Sequence, residues 1–339
     1  MAAAAAADLS LKEKKVARLG WAVLAWNVAV VLWGAFVRAS GSGAGCGRHW
    51  PLCNGEVVPR AESTATLIEA AHRVTSGLAL VAVVALLVVA MRNLPKGHRA
   101  RRGAGFATFF VFGEAAIGAA LVLFELVAHD ASMKRGLSMT LHLCNTFLLL
   151  GALALTAWWA QTGQGAVVEG RAKVPFALRS VVVLALGGVL LLGASGAVAA
   201  LGDTLFPAAS LREGIAQDLS PLSHVFLKLR MLHPIIALGT GILTLGAAGV
   251  VRALSTSERA WKLSRGVTVL FVTQFACGIL NLTLLAPIGM QLVHLLLADA
   301  TWIMLVLMGW EALRGAATPA PALAPVAEGA GSTPDVAAV

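Results

Sequence analysis

Residues 67–91 read LIEAAHRVTSGLALVAVVALLVVAM, and this stretch indicates the class of protein. It is long enough to cross a bilayer as one helix, which takes about 20 apolar residues. Its three ionisable residues, Glu69, His72 and Arg73, lie together near its start. Residues three apart share a face of a helix. Ionisable groups inside a membrane span indicate function, because burying them in lipid is costly.

The composition of the whole chain agrees with a membrane protein. Of its 339 residues, 58% are hydrophobic and 13% are charged, whereas about 25% of the residues of a soluble domain are charged. The net charge is +9, and its basic residues lie mostly in short loops, where they set membrane topology. We therefore expect the partner of this basic chain to be the lipid bilayer, and not nucleic acid.

Eight apolar runs, each of about 20 residues, predict an all-α membrane protein with eight transmembrane helices. The runs lie at 19–38, 67–91, 104–124, 136–160, 176–200, 226–251, 263–285 and 288–312. The bias of Lys and Arg toward alternate loops predicts that both termini are cytoplasmic. The second, fourth, sixth and eighth spans then start at the outer face of a bacterial inner membrane.

The spans are expected to form two similar four-helix halves. Phe112-Gly113-Glu114 in the third span has a counterpart in Val272-Thr273-Gln274 in the seventh. A unit duplicated in parallel, with its axis along the membrane normal, explains this likeness. The predicted organisation is an N-terminal tail with a short interfacial helix at 1–18, a first half at 19–160 with an outer loop at 39–66, a cytoplasmic linker at 161–175, a second half at 176–313 and a disordered cytoplasmic tail at 314–339.

One histidine recurs in each even-numbered span. His72, His142, His233 and His294 stand about six to eight residues from the outer ends, which places them roughly 9–12 Å deep at 1.5 Å per residue. Imidazoles that project inward from facing helices hold haem iron in helical bundles. The layer predicts one haem in each half. The alternatives are hydrogen-bonded packing histidines, or a zinc or copper site, which would need several donors around one ion.

The two halves differ beside these histidines. Glu69 stands three residues before His72, whereas Arg230 stands three before His233. A carboxylate can accept a proton or stabilise positive charge on a reacting carbon. We therefore expect chemistry in the first half and an electron-transfer haem in the second, with Arg73 and Arg230 as candidate contacts for haem propionates. The alternative for Glu69 is an ion pair with Arg73 at i+4.

The cysteines fall into two groups. Cys46 and Cys53 bracket six residues, including Pro51, in the outer loop. Outside the cytoplasm such a pair is expected to form a disulfide, and the alternative is two free thiols. Cys144 and Cys277 lie within spans and are expected to be small buried hydrophobes. Among the other polar residues, Asp299 is expected to be a packing group, and His49, His98, His129 and His224 to be surface or interfacial groups.

From about Leu19 to Arg314 the chain resembles the haem A synthase family, membrane enzymes that convert haem O to haem A. The likeness lies in Gly41-Ser42-Gly43 leading to Cys46, in Trp50 to Gly55, and in Ile68-Glu69-Ala70-Ala71-His72-Arg73, followed by the three later histidines. The resemblance implies two four-helix halves and a role in the assembly of haem-copper oxidases. The chain departs from the family pattern in Pro234 after His233, and in Glu114, where glutamine is more usual.

The resemblance also implies roles for individual residues. His72 and His142 would face the substrate haem, His233 and His294 would ligate haem b, and Glu69 would be the catalytic carboxylate. Cys46 and Cys53 match paired loop cysteines that some members carry.

The implied reaction turns a ring methyl of haem O into a formyl group through an alcohol, with oxygen from water. The implied partners are a haem O synthase and an electron acceptor that the sequence does not name, and the sequence leaves a homo-oligomer open. Two rival interpretations are a di-haem b-type electron carrier that does not modify haem, and a transporter with duplicated halves.

Overall fold

The structure is a computed structural model that describes residues 2–60, 63–164, 174–255 and 257–314. Its elements are α1 (Ala2–Ala39), a short 3-10 turn (Ser42–Ala44), α2 (Thr64–Asn93), α3 (Arg99–Leu123), α4 (Met133–Gln161), α5 (Phe176–Leu205), α6 (Leu211–Leu219), α7 (Val225–Arg230), α8 (Leu232–Leu254), α9 (Glu258–Thr283) and α10 (Ile288–Leu313). Residues 315–339 of the expected tail at 314–339, and residues 165–173 of the expected linker at 161–175, lie outside the described residues.

The described part of the chain contains eight helical segments that are long and apolar enough to cross a membrane, with α7 and α8 together forming one of them. The all-α, eight-span prediction is therefore confirmed. Large apolar side chains stay exposed on the bundle's outside, such as Phe106, Phe109 and Phe112 on α3. Lipid accepts such a surface, because its tails are as apolar as these side chains.

The first helix is longer than expected. Residues 2–18, expected as a separate tail, continue directly into the first span. No glycine or proline interrupts the chain before Gly20, so nothing breaks the helix there. Val16 is fully buried, and Glu13 lies 3.1 Å from Nε2 of His98. His98 is consequently buried and not a surface group, and its Nδ1 accepts the backbone N–H of Ala100 at the start of α3.

Serine side chains cap several of the spans. Ser63 accepts the N–H of Thr66 at the start of α2, and Ser132 accepts that of Arg135 at the start of α4. Such caps satisfy amide groups that have no partner within the helix. They fix where α2 and α4 begin, and therefore the height of the histidines that these helices carry.

The sixth span is broken just before its histidine. Helix α7 ends at Arg230 and α8 begins at Leu232. Pro234 has no N–H, so it cannot donate to the carbonyl of Arg230 as a helical residue would. The second span, with Arg73 in place of Pro234, is continuous through His72. Proline explains why the two spans differ here.

The helix contacts repeat between the halves. Helix α1 packs on α2 and α3 on α4 in the first half, as α5 packs on α8 and α9 on α10 in the second. The halves meet through α4 and α5, through α10 against α4, and through α10 against α1. In this interface Trp302 of α10 stacks on Phe147 of α4 and donates its indole N–H to the Phe147 carbonyl.

The chain order brings four loop segments to one end of the bundle. Their described residues are 40–60, 124–132, 206–224 and 284–287. Cys46 and Cys53 lie in the first of them. We call this end the disulfide end and the other the opposite end.

Candidate functional site

The four histidines form a layer near the disulfide end. They stand about six to nine residues from the starts of their spans, or roughly 9–14 Å along the helices. In the first half His72 and His142 are close enough for their charges to interact, and so are His233 and His294 in the second half. All four side chains are half-buried. The structure therefore brings the histidines together in twos, one pair in each half.

Glycines on neighbouring helices leave room for three of the imidazoles. A Cβ atom at Gly34 of α1 would lie 3.0 Å from Cε1 of His72, and one at Gly196 of α5 would lie 3.1 Å from Cε1 of His233. A Cβ atom at Gly278 of α9 would lie 2.9 Å from Cε1 of His294. These distances are shorter than ordinary carbon contacts of about 3.5–4.0 Å. Each ring position therefore depends on the absence of a side chain at its glycine.

His142 is held differently. Its Nδ1 lies 2.8 Å from Oε2 of Glu114 on α3, a close contact between the imidazole and the carboxylate. Two side chains of α4 anchor the carboxylate. Asn145 Nδ2 donates to Oε1 at 2.6 Å, and Thr146 Oγ1 donates to Oε2 at 3.0 Å. Sequence reasoning gave Glu114 no specific partner.

In the second half both histidines contact neutral groups. Ser195 Oγ lies 2.9 Å from Nδ1 of His233, so this contact engages Nδ1 of the ring and not Nε2. Gln274 Nε2 lies 3.3 Å from Nε2 of His294. Gln274 occupies on α9 the place that Glu114 occupies on α3, so the repeat noted in the sequence extends to the contact with a histidine.

Glu69 is buried, with 4% of its surface exposed, and both its oxygens have partners. Oε1 pairs with Arg73, at 2.6 Å from Nη2 and 3.1 Å from Nε. Oε2 accepts the backbone N–H of Cys46 at 2.8 Å. The ion pair with Arg73, expected as an alternative to a catalytic role, is therefore present. It occurs together with a contact to the cysteine loop that the sequence did not reveal.

The cysteine loop is closed by a disulfide between Cys46 and Cys53. Arg73 Nη1 donates to two backbone carbonyls of this loop, those of His49 and Leu52. The loop, Arg73 and Glu69 therefore form one connected network over the first histidine pair. Cys144 and Cys277 are free thiols, half-buried and buried respectively.

The expected propionate contacts are already engaged by protein groups. Arg230 pairs with Asp203 at the end of α5, at 2.9 Å, and with Asp218 of α6, at 2.7 Å. Two carboxylates from separate elements therefore converge on its guanidinium, and a contact of Arg230 with a haem propionate stays a prediction. Arg135 is 3% exposed; its Nη1 donates to the carbonyls of Ala128 and Asp130, whereas its Nε has no partner among the described residues. It lies seven residues before His142, on the same face of α4.

Comparison with known proteins agrees with this architecture. The sequence model of the cytochrome oxidase assembly protein family matches residues 17–306. A protein of Thermus thermophilus named protoheme IX farnesyltransferase is 48% identical over 303 residues, which are 89% of this chain and 49% of that protein. The chain thus spans about half the length of this curated relative.

Two further relatives carry the name heme A synthase. The protein of Symbiobacterium thermophilum is 42% identical over 125 residues, 37% of this chain and 40% of that protein. The protein of Macrococcus caseolyticus is 35% identical over 129 residues, 38% of this chain and 43% of that protein. The resemblance seen in the motifs is therefore confirmed. Because the family match runs through most of the described bundle, the chain belongs to the cytochrome oxidase assembly protein family.

Proposed function

We propose that this chain is a haem A synthase, which oxidises a ring methyl of haem O to a formyl group for haem-copper oxidases. The overall change is R–CH3 + H2O → R–CHO + 4 H+ + 4 e−, and a hydroxymethyl compound is the intermediate after the first two electrons have left. Family membership and the relatives named heme A synthase support this proposal. The observation that carries it is the buried carboxylate of Glu69 beside one of two histidine pairs.

The residues present fit two haem groups. Each half offers two imidazoles from facing helices, the ligand set with which helical bundles hold haem iron. Nδ1 of His72 and Nδ1 of His294 are buried without a hydrogen-bond partner in the described chain, so these rings are not committed to the surrounding protein through that atom. His72 and His142 would hold the substrate haem, and His233 and His294 would hold haem b.

The porphyrin and its iron supply the redox chemistry when bound, and the protein contributes position and charge. Glu69 would accept a proton at its carboxylate, or stabilise positive charge on the methyl carbon before water attacks. The Cys46 N–H and the Arg73 guanidinium hold that carboxylate in place. The cysteine loop above it would restrict access of bulk water.

The asymmetry between the halves supports a division of labour. Only the first half has a carboxylate three residues before its histidine, and the second half has Arg230 there. The second pair would pass electrons one at a time to an acceptor outside the chain. In a bacterial inner membrane, with both termini cytoplasmic, the histidine layer would lie toward the outer face. A haem O synthase is the expected source of substrate.

The name farnesyltransferase belongs to a relative about twice as long as the matched segment. That name is given to the whole relative, and the match covers 49% of it. We therefore do not assign prenyl transfer to this chain. A di-haem b-type electron carrier is the alternative function, because it would need the same two histidine pairs but no residue such as Glu69.

Pigment analysis of the purified protein tests the proposal. The chain is expressed in a host that supplies haem O and makes no haem A, and the extracted pigments are separated by chromatography and identified by mass. We expect haem A together with haem b, and a His72→Ala variant is expected to yield haem b without haem A. If wild-type protein yields only protohaem and unconverted haem O, the chain is not the enzyme. Protohaem in two equivalents per chain would support the electron carrier.

A further inference from the structure

Glu114 and Gln274 occupy equivalent places in the two halves but give their histidines different surroundings. Glu114 brings a carboxylate oxygen to 2.8 Å from Nδ1 of His142. Gln274 brings an amide nitrogen to 3.3 Å from Nε2 of His294. One histidine therefore faces an acidic group through Nδ1, and the other faces a neutral group through Nε2.

The first half contains a cradle that fixes Glu114, and the second half lacks it. The cradle is made by Asn145 and Thr146, which donate to the two carboxylate oxygens. The residues three and four positions after His294 are Leu297 and Ala298, neither of which can donate from its side chain. The carboxylate and its donors therefore occur together in one half only.

Gly113 completes this cradle. A Cβ atom at Gly113 would lie 2.8 Å from Oδ1 of Asn145, closer than real side chains approach. The equivalent residue on α9 is Thr273. The backbone of α3 can approach the Asn145 amide because residue 113 is glycine, so the close approach of α3 and α4 is adapted to this contact.

A carboxylate at the outer nitrogen of a ligating histidine orients the ring and increases its donor strength. We propose that Glu114 is a positioning residue that holds Nδ1 of His142, turns Nε2 toward the substrate haem and makes His142 a stronger electron donor than His294. The inference rests on the proposed function. A stronger donor with a nearby negative charge favours ferric iron, so the first haem has the lower reduction potential.

This arrangement gives the internal electron transfer a direction. Electrons released by oxidation of the ring methyl pass downhill from the first half to the second when the second haem has the higher potential. Glu114 lowers the potential in the first half, whereas Gln274 adds no charge in the second. The carboxylate at Glu114 therefore makes the first half the electron-donating site, and the amide at Gln274 leaves the second half as the electron-accepting site.

Reciprocal exchange of the two residues tests the proposal. Glu114→Gln and Gln274→Glu proteins are purified with haem from cells that supply haem O, and both midpoint potentials are measured by spectroelectrochemical titration. His294→Ala, which removes one ligand of the second pair, assigns the two reduction steps. We expect Glu114→Gln to raise the potential of the first-half haem alone, and Gln274→Glu to lower that of the second-half haem alone. If the two residues had a purely structural role, the exchanges would not shift the two midpoint potentials in opposite directions.

Two further variants keep the test decisive. Asn145→Leu copies the residue at the equivalent place in the second half, leaves the carboxylate present and is expected to give a smaller upward shift. Glu125→Gln alters an exposed carboxylate that pairs with Arg48 at the disulfide end, and is expected to leave both potentials unchanged.

If the wild type binds two haems and neither exchange moves a potential, Glu114 has no such role although the proposed function stands. If the wild type binds no haem in the first half, the inference and the proposed function both fail.

Discussion

The carboxylate of Glu69 accepts the backbone N–H of Cys46 at 2.8 Å, so a side chain within a membrane span is tied to the loop that covers it. Arg73 strengthens this link, because it pairs with Glu69 and donates to the carbonyls of His49 and Leu52. The position of the carboxylate therefore depends on the loop as well as on α2. This relationship leads to the first two predictions.

Replacing Glu69 with glutamine should stop haem conversion and leave the fold intact. Glutamine keeps the shape and can still accept the Cys46 N–H, but it cannot take a proton or balance a cationic carbon. Loss of a general base costs about 100- to 10,000-fold in rate. We expect haem O or its hydroxylated product to accumulate on protein with normal haem b content, as measured by pigment extraction. Glu125→Gln is the matched control, and a normal haem A yield from Glu69→Gln would remove Glu69 from the mechanism.

Replacing both Cys46 and Cys53 with serine should lower stability and activity together. A disulfide that closes so short a loop contributes roughly 2–3 kcal/mol by restricting the unfolded chain. The freed loop would hold Glu69 and Arg73 less firmly, so the yield of haem A should fall while haem b remains bound. Thermal unfolding in detergent and pigment analysis measure the two effects. Cys144→Ala, which alters a free thiol, is the control. Equal haem A yields from the double variant and the control would show that the loop does not position Glu69.

Replacing Gly34 with valine should displace the ring of His72. The new side chain would start 3.0 Å from Cε1 of that ring, and α1 cannot move away because it also packs on α4 and α10. Disturbing the support of a metal ligand typically weakens binding by about 10- to 100-fold, so we expect a similar loss of haem from the first half only. Haem titration followed by absorbance measures it. Gly77→Val is the control, since a Cβ there meets nothing within 4 Å. Equal haem affinities in the two variants would contradict the prediction.

Replacing Arg38 with methionine should weaken the contact between the halves. At the end of α1 this arginine donates to the Ala200 carbonyl at 2.7 Å, to Thr204 Oγ1 at 2.6 Å and to Gln291 Oε1 at 2.8 Å. Hydrogen bonds from charged groups contribute about 1.5–3 kcal/mol each, and they are not additive, so we expect a loss of about 3 kcal/mol in unfolding free energy.

The measurement for Arg38 is thermal or denaturant unfolding in detergent. Arg48→Met is the matched control, because the exposed pair of Arg48 with Glu125 should contribute about 0–1 kcal/mol. A loss as small as that of the control would mean that Arg38 does not hold the halves together.

The spans, the depth of the four histidines and the cysteine bridge could be predicted from the sequence, because each follows from residue spacing within individual chain segments. Run length gives the spans, and four histidines at one depth give the layer. The sequence analysis did not predict the break before His233, although it could have been expected from Pro234, which removes a helical hydrogen bond. The length of α1 could have been expected from the lack of glycine and proline before Gly20. That the histidines bind iron stays a prediction.

The contacts that refine the site depend on how helices pack, and the sequence does not give them. Gly34 meets His72 only because α1 and α2 pack in one particular register. Arg230 meets Asp203 and Asp218 because α5 and α6 converge on it from two directions. The direction in which a side chain points across a helix interface follows from rotation and height, which hydropathy does not record.

The contact of Arg38 also shows how two four-helix halves joined in one chain can differ from two separate, identical four-helix subunits. Arg38 lies four residues after Gly34, and Ala200 lies four after Gly196, so the arginine binds the carbonyl of its own counterpart. Two identical four-helix subunits would bring two arginines to this point, and their like charges would repel. Covalent linkage lets one copy keep the cation while the other presents only backbone, an arrangement that no strictly symmetric homodimer could adopt.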